Sequence, residues 1–357
     1  MRPRHLTARH LLAAATAAAL ALSLTACGDS GDGSGTAGGE AATDAAGDAG
    51  LVVYSGRNED LVQPIIDRFT DETGIEVAVR YAGTGELAAQ LLEEGDRSEA
   101  DVFFAQDGGA LGAIAKEGLF AEIPQETLDL VDERFRADDG RWVGVSGRAR
   151  VIAYNPEQVP EAEVPASVLD LTDPRWSGEV GIAPTNASFE AFVTGLRVLE
   201  GDDAARAWLE GMAANDVQVF DNNIAVLDAV DNGVVSLGLI NHYYWYERVA
   251  EVGEDAVTAR LVFPGGGDPG ALVNVAGVGI LAGSDDQDTA QELVAFLLSD
   301  EAQTYFAEET KEYPLVDGVE TDAALPPLDE LDPPAIDLSD LDTLAETQAM
   351  IQEAGLS

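Results

Sequence analysis

The chain has 357 residues, with 66 acidic side chains against 19 lysines and arginines, which gives a formal net charge of −47 at pH 7. A charge of this sign and size makes nucleic acid and anionic membrane surfaces poor partners. The sequence contains one cysteine and three histidines. An intramolecular disulfide is therefore excluded. Zinc sites built on cysteine and histidine are excluded as well, because His5 and His10 lie in the N-terminal segment that is expected to be removed, which leaves only His242.

The first 26 residues have the features of a lipoprotein signal peptide. Three arginines occur among the first nine residues, an apolar run covers 11–22, and Leu24-Thr25-Ala26-Cys27 forms a lipobox. The apolar run is too short to span a membrane, and the separated arginines do not support a twin-arginine export signal. We expect Cys27, the single cysteine, to be lipidated as the first residue of the mature protein.

The rest of the chain divides into a tether and a folded body. Residues 27–50 are mostly Gly, Ala, Ser and Asp without apolar periodicity, which predicts a flexible linker behind the lipid anchor. The body, at about 300 residues, is long enough for two lobes rather than one core. We expect lobe 1 to comprise 51–145 plus 274–324, and lobe 2 to comprise 146–273 plus 325–357.

Strand and helix patterns alternate at the start of the body. Apolar runs predict strands at 51–55, 75–81 and 100–105. Helical periodicity predicts helices at about 60–73, through Leu87, Leu91 and Leu92, and at 109–116. This order predicts an α/β fold with a doubly wound parallel sheet. The loops that follow the strands then lie at one edge of that sheet and face one cleft; they carry Arg57-Asn58, Gly83-Thr84 and Gln106-Asp107.

Two long extended segments, 142–154 and 271–281, predict hinge strands that cross between the lobes. Lobes joined in this way can close on a ligand. Between them, Asn186 and Ser188 begin one predicted helix, and Asn222 and Asn223 begin another. Free backbone N–H groups at helix N-termini favour an anion, and simple helix capping is the alternative interpretation.

The sequence Asn241-His242-Tyr243-Tyr244-Trp245-Tyr246 follows the apolar run 234–240, which predicts a buried strand ending at the paired tyrosines. The carboxyl end of such a strand is where an open α/β sheet presents groups to a ligand. A phenolate is a hard anionic oxygen ligand, and a small, highly charged cation displaces its proton far below the ordinary pKa of about 10. We interpret the pair as ligands of a metal ion, ferric iron; an aromatic core or groove lining is the alternative.

The end of the chain is predicted to be mostly helical. Two helices are expected at about 287–298 and 300–308, and the Pro- and Asp-rich stretch 325–340 predicts a surface linker. A last amphipathic helix, 341–354, is expected to dock on lobe 2.

Five motifs in order resemble the ferric-iron-binding proteins of iron ABC importers, which have the two-lobed class II periplasmic-binding-protein fold. They are Tyr54-Ser55-Gly56-Arg57, Ala100-Asp101-Val102-Phe103, Lys116-Glu117-Gly118-Leu119, Ser146-Gly147-Arg148 and Asn241-x-Tyr243-Tyr244. The resemblance covers the body from Leu51 onward, and the paired tyrosines are its most specific part.

The resemblance implies a set of site residues. Tyr243 and Tyr244 would be phenolate ligands of iron. Asn58 stands where the family often has a histidine ligand and Gln106 where it often has a glutamate, which leaves the contribution of lobe 1 open. Arg57, with Arg148 as a second candidate, would hold a carbonate-like anion. In phosphate-using relatives the anion lies at the positions of Asn186, Ala187, Ser188, Asn223 and Asn241.

The resemblance also implies partners and a compartment. Fe³⁺ with a synergistic carbonate or phosphate would be captured by a monomer and handed to the permease and ATPase of an ABC importer. The lipid on Cys27 would anchor the protein to the outer face of the cytoplasmic membrane. Such a protein binds and releases its ligand and is not an enzyme.

Three alternatives remain open from the sequence. The same fold could bind another small ligand, such as an oxyanion, a phosphonate, a polyamine or thiamine. A hydrolase would have to use His242, and the sequence has no Gly-x-Ser-x-Gly elbow and no catalytic cysteine. An adhesive surface lipoprotein is the third, and no internal repeat favours it.

Overall fold

The computed structural model describes residues 50–322 and 324–357, which belong to one compact unit. The predicted signal peptide, Cys27 and the predicted linker up to residue 49 lie outside the described residues. No helix in the described part of the chain is long and apolar enough to cross a membrane.

The first half of the body follows the predicted alternation. Its elements are β1 Leu51–Ser55, α1 Glu59–Thr73, β2 Val77–Tyr81, α2 Thr84–Glu94, β3 Val102–Ala105, α3 Gly108–Lys116, the short α4 Gln125–Leu128 and the long β4 Val143–Tyr154. Helix α1 ends at Gly74, whose φ of 73° is the left-handed conformation that a glycine C-cap adopts without strain.

The middle of the chain contains the elements that are predicted for lobe 2. They are β5 Val180–Ile182, α5 Ala187–Glu200, α6 Asp202–Ala214, β6 Gln218–Val219, α7 Asn223–Asp231, β7 Leu237–Asn241, α8 Tyr243–Val252 and β8 Arg260–Val262. The chain then returns through β9 Val273–Ile280 to α9 Gln287–Leu297, α10 Asp300–Glu308 and β10 Tyr313–Pro314, and it ends with α11 Leu344–Glu353.

The strands lie in the order β2-β1-β3-β9-β4-β7-β5-β6, with β10 and β8 also paired to β4. Strands β1, β2 and β3 are parallel, as the alternating pattern predicts, whereas β9 runs antiparallel to both β3 and β4. Residues 143–149 of β4 pair with β9, and residues 150–154 pair with β7. Strand β4 therefore belongs to both halves of the sheet, and β9 brings the chain back beside it. The residue boundaries of the two lobes stay a prediction.

Two details differ from the sequence-based expectations. The predicted strand 234–240 begins later, at Leu237, and it ends at Asn241, so that Tyr243 and Tyr244 form the first turn of α8. The stretch 325–340 is not a plain surface linker, because Leu325, Leu331 and Leu338 are each no more than 5% exposed. Burial of these leucines stabilises a segment that its proline and aspartate content alone marks as a loop.

Candidate metal and anion site

The paired tyrosines come together because they lie on a helix. Successive side chains of a strand point to opposite faces, whereas successive positions of a helix differ by about 100°. In the first turn of α8 the rings of Tyr243 and Tyr244 have their centroids 4.2 Å apart, with 31° between their planes. Tyr243 is buried and Tyr244 is half-buried. Two phenol groups are therefore presented side by side at the carboxyl end of β7.

The surroundings keep Tyr243 protonated in the free protein. Burial raises the pKa of Tyr243 well above its ordinary value, the neighbouring Tyr244 adds to this, and Arg148 opposes it. A cation bound at the pair would act as Arg148 does, but more strongly, since a metal ion is the largest local charge in such a site. Iron binding through these phenols therefore requires that protons leave.

His242, directly before this turn, forms hydrogen bonds to two other segments of the chain. Its Nδ1 accepts a hydrogen bond from the Ala149 N–H at 3.2 Å, and its Nε2 lies 2.9 Å from the Lys311 carbonyl oxygen, to which it donates. Burial lowers the pKa of His242 to about 4, so the imidazole is neutral near pH 7. The histidine has a structural role between strand β4 and the segment before β10.

The predicted anion residues of lobe 2 form one hydrogen-bonded cluster. Asn186 caps α5, and its Oδ1 accepts from the Ser188 N–H at 3.1 Å and from Asn223 Nδ2 at 3.0 Å. Asn223 Nδ2 also lies 3.1 Å from Ser188 Oγ. Asn222 caps α7 through the Ala225 N–H, as the capping alternative predicts. The structure thus brings residues from two helix N-termini together.

Arg150, which the sequence interpretation did not select, lies in the middle of this cluster. Its Nη1 donates to Ser188 Oγ at 3.1 Å, Asn241 Oδ1 at 3.3 Å and Asn223 Oδ1 at 3.4 Å. Asn241 is its partner across β4 and β7. Burial lowers the pKa of Arg150 to about 9, although the nearby phenols of Tyr244 and Tyr243 oppose the shift. The cluster therefore has a cation at its centre.

A pattern in the sequence could have identified Arg150 as a site residue. Arg148 and Arg150 are two residues apart on β4, and alternate residues of a strand point to the same face. A candidate role for one of them therefore predicts that the other is close by.

Arg148 is a buried cation whose Nε is unsatisfied. The residue is 3% exposed, and its Nε has no hydrogen-bond partner among residues 50–322 and 324–357. A carboxylate oxygen of Glu312 lies 3.7 Å from its Nε, an ion-pair distance that is too long for a hydrogen bond. Buried polar groups normally have hydrogen-bond partners, and a guanidinium with a free N–H group suits a bound anion.

Arg148 and Arg150 line one small cavity. The cavity has a volume of about 20 Å³, and the side chains around it include Gln106, Asp107, Ser188 and Asn241. This is about the room that one water molecule requires. A larger oxyanion would need the walls to move apart, and the walls come from segments that are predicted to belong to different lobes.

Arg57, the first candidate for the anion, is engaged elsewhere. Its Nη2 donates to both carboxylate oxygens of Glu312, at 2.9 and 2.8 Å. Ser146 Oγ and Thr310 Oγ1 donate to the same carboxylate at 2.8 and 3.3 Å. Burial would raise the pKa of Glu312, but Arg57 and Arg148 hold it below its usual value. Glu312 is therefore an ionised partner of Arg57 within the core.

The two doubtful metal positions of lobe 1 differ in their surroundings. Asn58 is exposed, and its Oδ1 caps α1 by accepting from the Asp60 N–H at 3.0 Å. Gln106 borders the cavity, and its backbone N–H donates to Thr84 Oγ1 at 3.1 Å. Asp107 also lines the cavity while its Oδ1 caps α3, and burial raises its pKa. Strands β1 and β3 are parallel neighbours, so the residues that follow them lie at the same edge of the sheet, as predicted.

The arrangement offers oxygen ligands beside fixed positive charge. No group of three or more His, Cys, Asp or Glu side chains in the described ranges could hold a metal ion. A hard trivalent cation at the phenols would gain two anionic oxygens, and an anion next to Arg148 and Arg150 would supply more.

The chain is similar in sequence to bacterial solute-binding proteins. Residues 98–336 match a family model described as bacterial extracellular solute-binding protein. The Fe(3+)-binding periplasmic protein of Serratia marcescens is 36% identical over 313 residues, which cover 87% of this chain and 92% of that protein.

Solved structures of iron-bound proteins are also similar to this chain. The crystal structure of iron-bound HitA from Pseudomonas aeruginosa is 40% identical, has a TM-score of 0.80 and covers 86% of this chain and 99% of its own. A Trichodesmium protein, IdiA or FutA, in complex with iron and citrate is 27% identical, has a TM-score of 0.74 and covers 86% of this chain and 99% of its own. These likenesses confirm the predicted two-lobed α/β fold.

Proposed function

This chain belongs to the bacterial extracellular solute-binding proteins, among the ferric-iron-binding periplasmic proteins, and we propose that it captures ferric iron together with an anion. The observation that carries the proposal is the stacked Tyr243–Tyr244 pair at the end of β7, close to two buried arginines. Two phenolates cancel two of the three charges on Fe³⁺, and an oxyanion cancels the rest. Gln106 and Asn58 are not needed as ligands in this scheme.

The anion in our proposal lies between Arg148 and Arg150 rather than on Arg57. The Nε of Arg148 has no hydrogen-bond partner among the described residues. Arg150 donates to Ser188, Asn223 and Asn241, and Asn186 and Ala187 lie beside these residues. The donors suit carbonate, phosphate or a carboxylate, because guanidinium groups recognise all three. The iron- and citrate-bound relative supports a carboxylate as a further candidate.

The proposed task is capture and delivery. Solute-binding proteins of this family work with ABC transporters, so the partners would be the permease and ATPase of an iron importer. The predicted lipid on Cys27 would keep a monomeric body at the outer face of the cytoplasmic membrane, with 27–50 as its tether. The ligand is released unchanged, which is why no catalytic residue is proposed.

A visible absorption titration tests the proposal. The mature chain from residue 27 is stripped with chelator and titrated with ferric citrate, with bicarbonate, with phosphate and with neither. We expect a phenolate-to-iron charge-transfer band that saturates at one iron per chain and is lost in Tyr243→Phe. Tyr246→Phe, which removes a hydroxyl from the same helix, is the matched control and should keep the band.

Two results would overturn it. Absence of the band with every anion would exclude iron held by the tyrosines and leave the cleft to another small ligand. Equal loss in Tyr243→Phe and Tyr246→Phe would show that the band reports general damage to α8 rather than ligation.

A further inference from the structure

The last part of the chain touches both lobes. Residues 338–347, which we call the strap, comprise the single-turn helix Leu338–Asp342 and the start of α11. Leu338 and Leu341 belong to the hydrophobic cluster that contains β1, β3 and α3 and extends to α7 and α8. Met350 and Ile351, further along α11, belong to the cluster around α5 and α6. The change from one cluster to the other occurs near Thr343.

The lobe 1 end of the strap lies directly on a glycine face of α3. A Cβ added at Gly109 would lie 2.2 Å from the Leu341 carbonyl oxygen, and one added at Gly112 would lie 2.4 Å from that of Ser339. Both distances are far below van der Waals contact. Glycine destabilises a helix interior by about 1 kcal/mol relative to alanine, so these positions favour the close approach at a cost to the helix.

Polar contacts fix the same end. Trp142 Nε1 donates to Ser339 Oγ at 3.1 Å. Lys116, in the last turn of α3, places its Nζ 2.9 Å from a carboxylate oxygen of Asp342 and 3.6 Å from one of Asp340. The strap therefore moves with α3 unless these contacts break.

The lobe 2 end is held by a second, separate network. Arg197 of α5 donates from Nη1 to the Thr343 carbonyl oxygen and to Thr347 Oγ1, each at 2.9 Å. Thr194, one turn earlier on α5, shares a hydrogen bond of 2.8 Å with Thr347 through their hydroxyls. All of these contacts are buried or partly buried.

We propose that the strap is a third connection between the lobes, in addition to β4 and β9, and that it limits how far and how readily the cleft opens. The lobes of such a fold separate by rotation about the segments that join them. Leu341, Asp342 and Leu344 of the strap also line a groove of about 720 Å³ that shares Gln106, Asp107, Ala187 and Ala191 with the small cavity. Leu341 also lies near α5, because a Cβ added at Gly195 would be 3.7 Å from its side chain. Rotation must therefore bend the strap or break its contacts with α3 or α5.

The test measures lobe separation without any cargo, so it does not depend on the proposed function. Spin labels are placed at two exposed positions, Glu93→Cys on α2 and Asp203→Cys on α6, in the mature chain with Cys27→Ser. Gly112→Ala then lifts the strap from α3 without weakening the helix. We expect the distribution of distances between the two spin labels, measured in the absence of iron, to be broader and shifted to longer distances in Gly112→Ala.

Gly85→Ala in α2 is the matched control, because its Cβ would meet nothing within 4 Å. Lys116→Gln, which removes the ion pairs with little change in packing, is the milder second variant and should shift the distribution in the same direction. If Gly112→Ala and Lys116→Gln both match the parent chain, or if Gly85→Ala shifts as much as they do, the strap does not govern opening.

A second readout links the strap to capture and rests on the proposed function. Iron release to a chelator should be about tenfold faster in Gly112→Ala than in Gly85→Ala, the ratio that corresponds to 1.4 kcal/mol. A shifted distance distribution with no iron binding in any variant would support the strap and overturn iron capture. An unshifted distribution with normal iron binding would support iron capture and overturn the proposed role of the strap.

Discussion

The two sides of the cleft use their polar groups in different ways. On the lobe 2 side, Tyr243, Tyr244 and Arg150 meet a cluster of amides and hydroxyls at two helix N-termini. On the lobe 1 side, Arg57 is paired with the buried Glu312, and Asn58 caps a helix at the surface. In our proposal lobe 2 therefore supplies most of the binding groups, because the polar groups named for lobe 1 are already paired within the protein.

The largest expected effect concerns the stability of lobe 1. Arg57→Gln leaves the Glu312 carboxylate buried without its main partner, and breaking a buried ion pair in this way costs about 3–5 kcal/mol. Denaturant unfolding measures the loss. Arg134→Gln is the control, since its pair with Asp132 is nearly half exposed on both sides and such pairs contribute about 0–1 kcal/mol. A loss for Arg57→Gln as small as for the control would mean that Arg57 is free to serve the anion.

Arg150→Gln should weaken the effect of the anion on iron binding. The variant keeps hydrogen-bonding capacity but removes the central charge of the anion cluster, so the gain in iron affinity from added anion should fall by roughly 10- to 100-fold. Iron titrations with and without bicarbonate or phosphate measure it. The contrast between the lobes would fail if Arg57→Gln lost the anion effect and Arg150→Gln retained it.

Gln106→Glu tests whether lobe 1 can be given a ligand. The side chain borders the cavity, and a carboxylate there would add an anionic oxygen for a hard cation, so we expect about tenfold tighter iron binding, or 1.4 kcal/mol. Competition with a chelator of known affinity measures the change. Unchanged affinity would place the metal out of reach of the end of β3.

Asn58→Ala should have the smallest effect. Loss of an asparagine cap costs a helix about 1 kcal/mol, and the exposed position of Asn58 predicts an unchanged iron affinity. Unfolding and iron titration are measured on the same preparation. A weaker iron complex with normal stability would instead assign Asn58 to the metal, as the resemblance to histidine-bearing relatives allows.

Local patterns in the sequence were sufficient for most elements of the fold. The predicted strands at 51–55 and 100–105 and the helices at 60–73 and 300–308 agree with β1, β3, α1 and α10 within two residues. Burial of apolar side chains at regular spacing decides these elements, and that spacing is visible in the chain itself. The paired tyrosines were equally visible, although their helix was not, because a short aromatic run fits the start of a helix as well as the end of a strand.

The tertiary structure decided how charged and polar groups are partnered. Arg57 and Glu312 are 255 residues apart in sequence, and nothing local marks them as an ion pair. The same holds for Arg150 with Ser188 and Asn223, and for the glycines of α3 with the strap. The sequence by itself determined most of the secondary structure and the phenol pair, because these depend on neighbouring residues. Which arginine is neutralised by Glu312 and which arginines line the small cavity depends on distant segments that meet only in the folded chain.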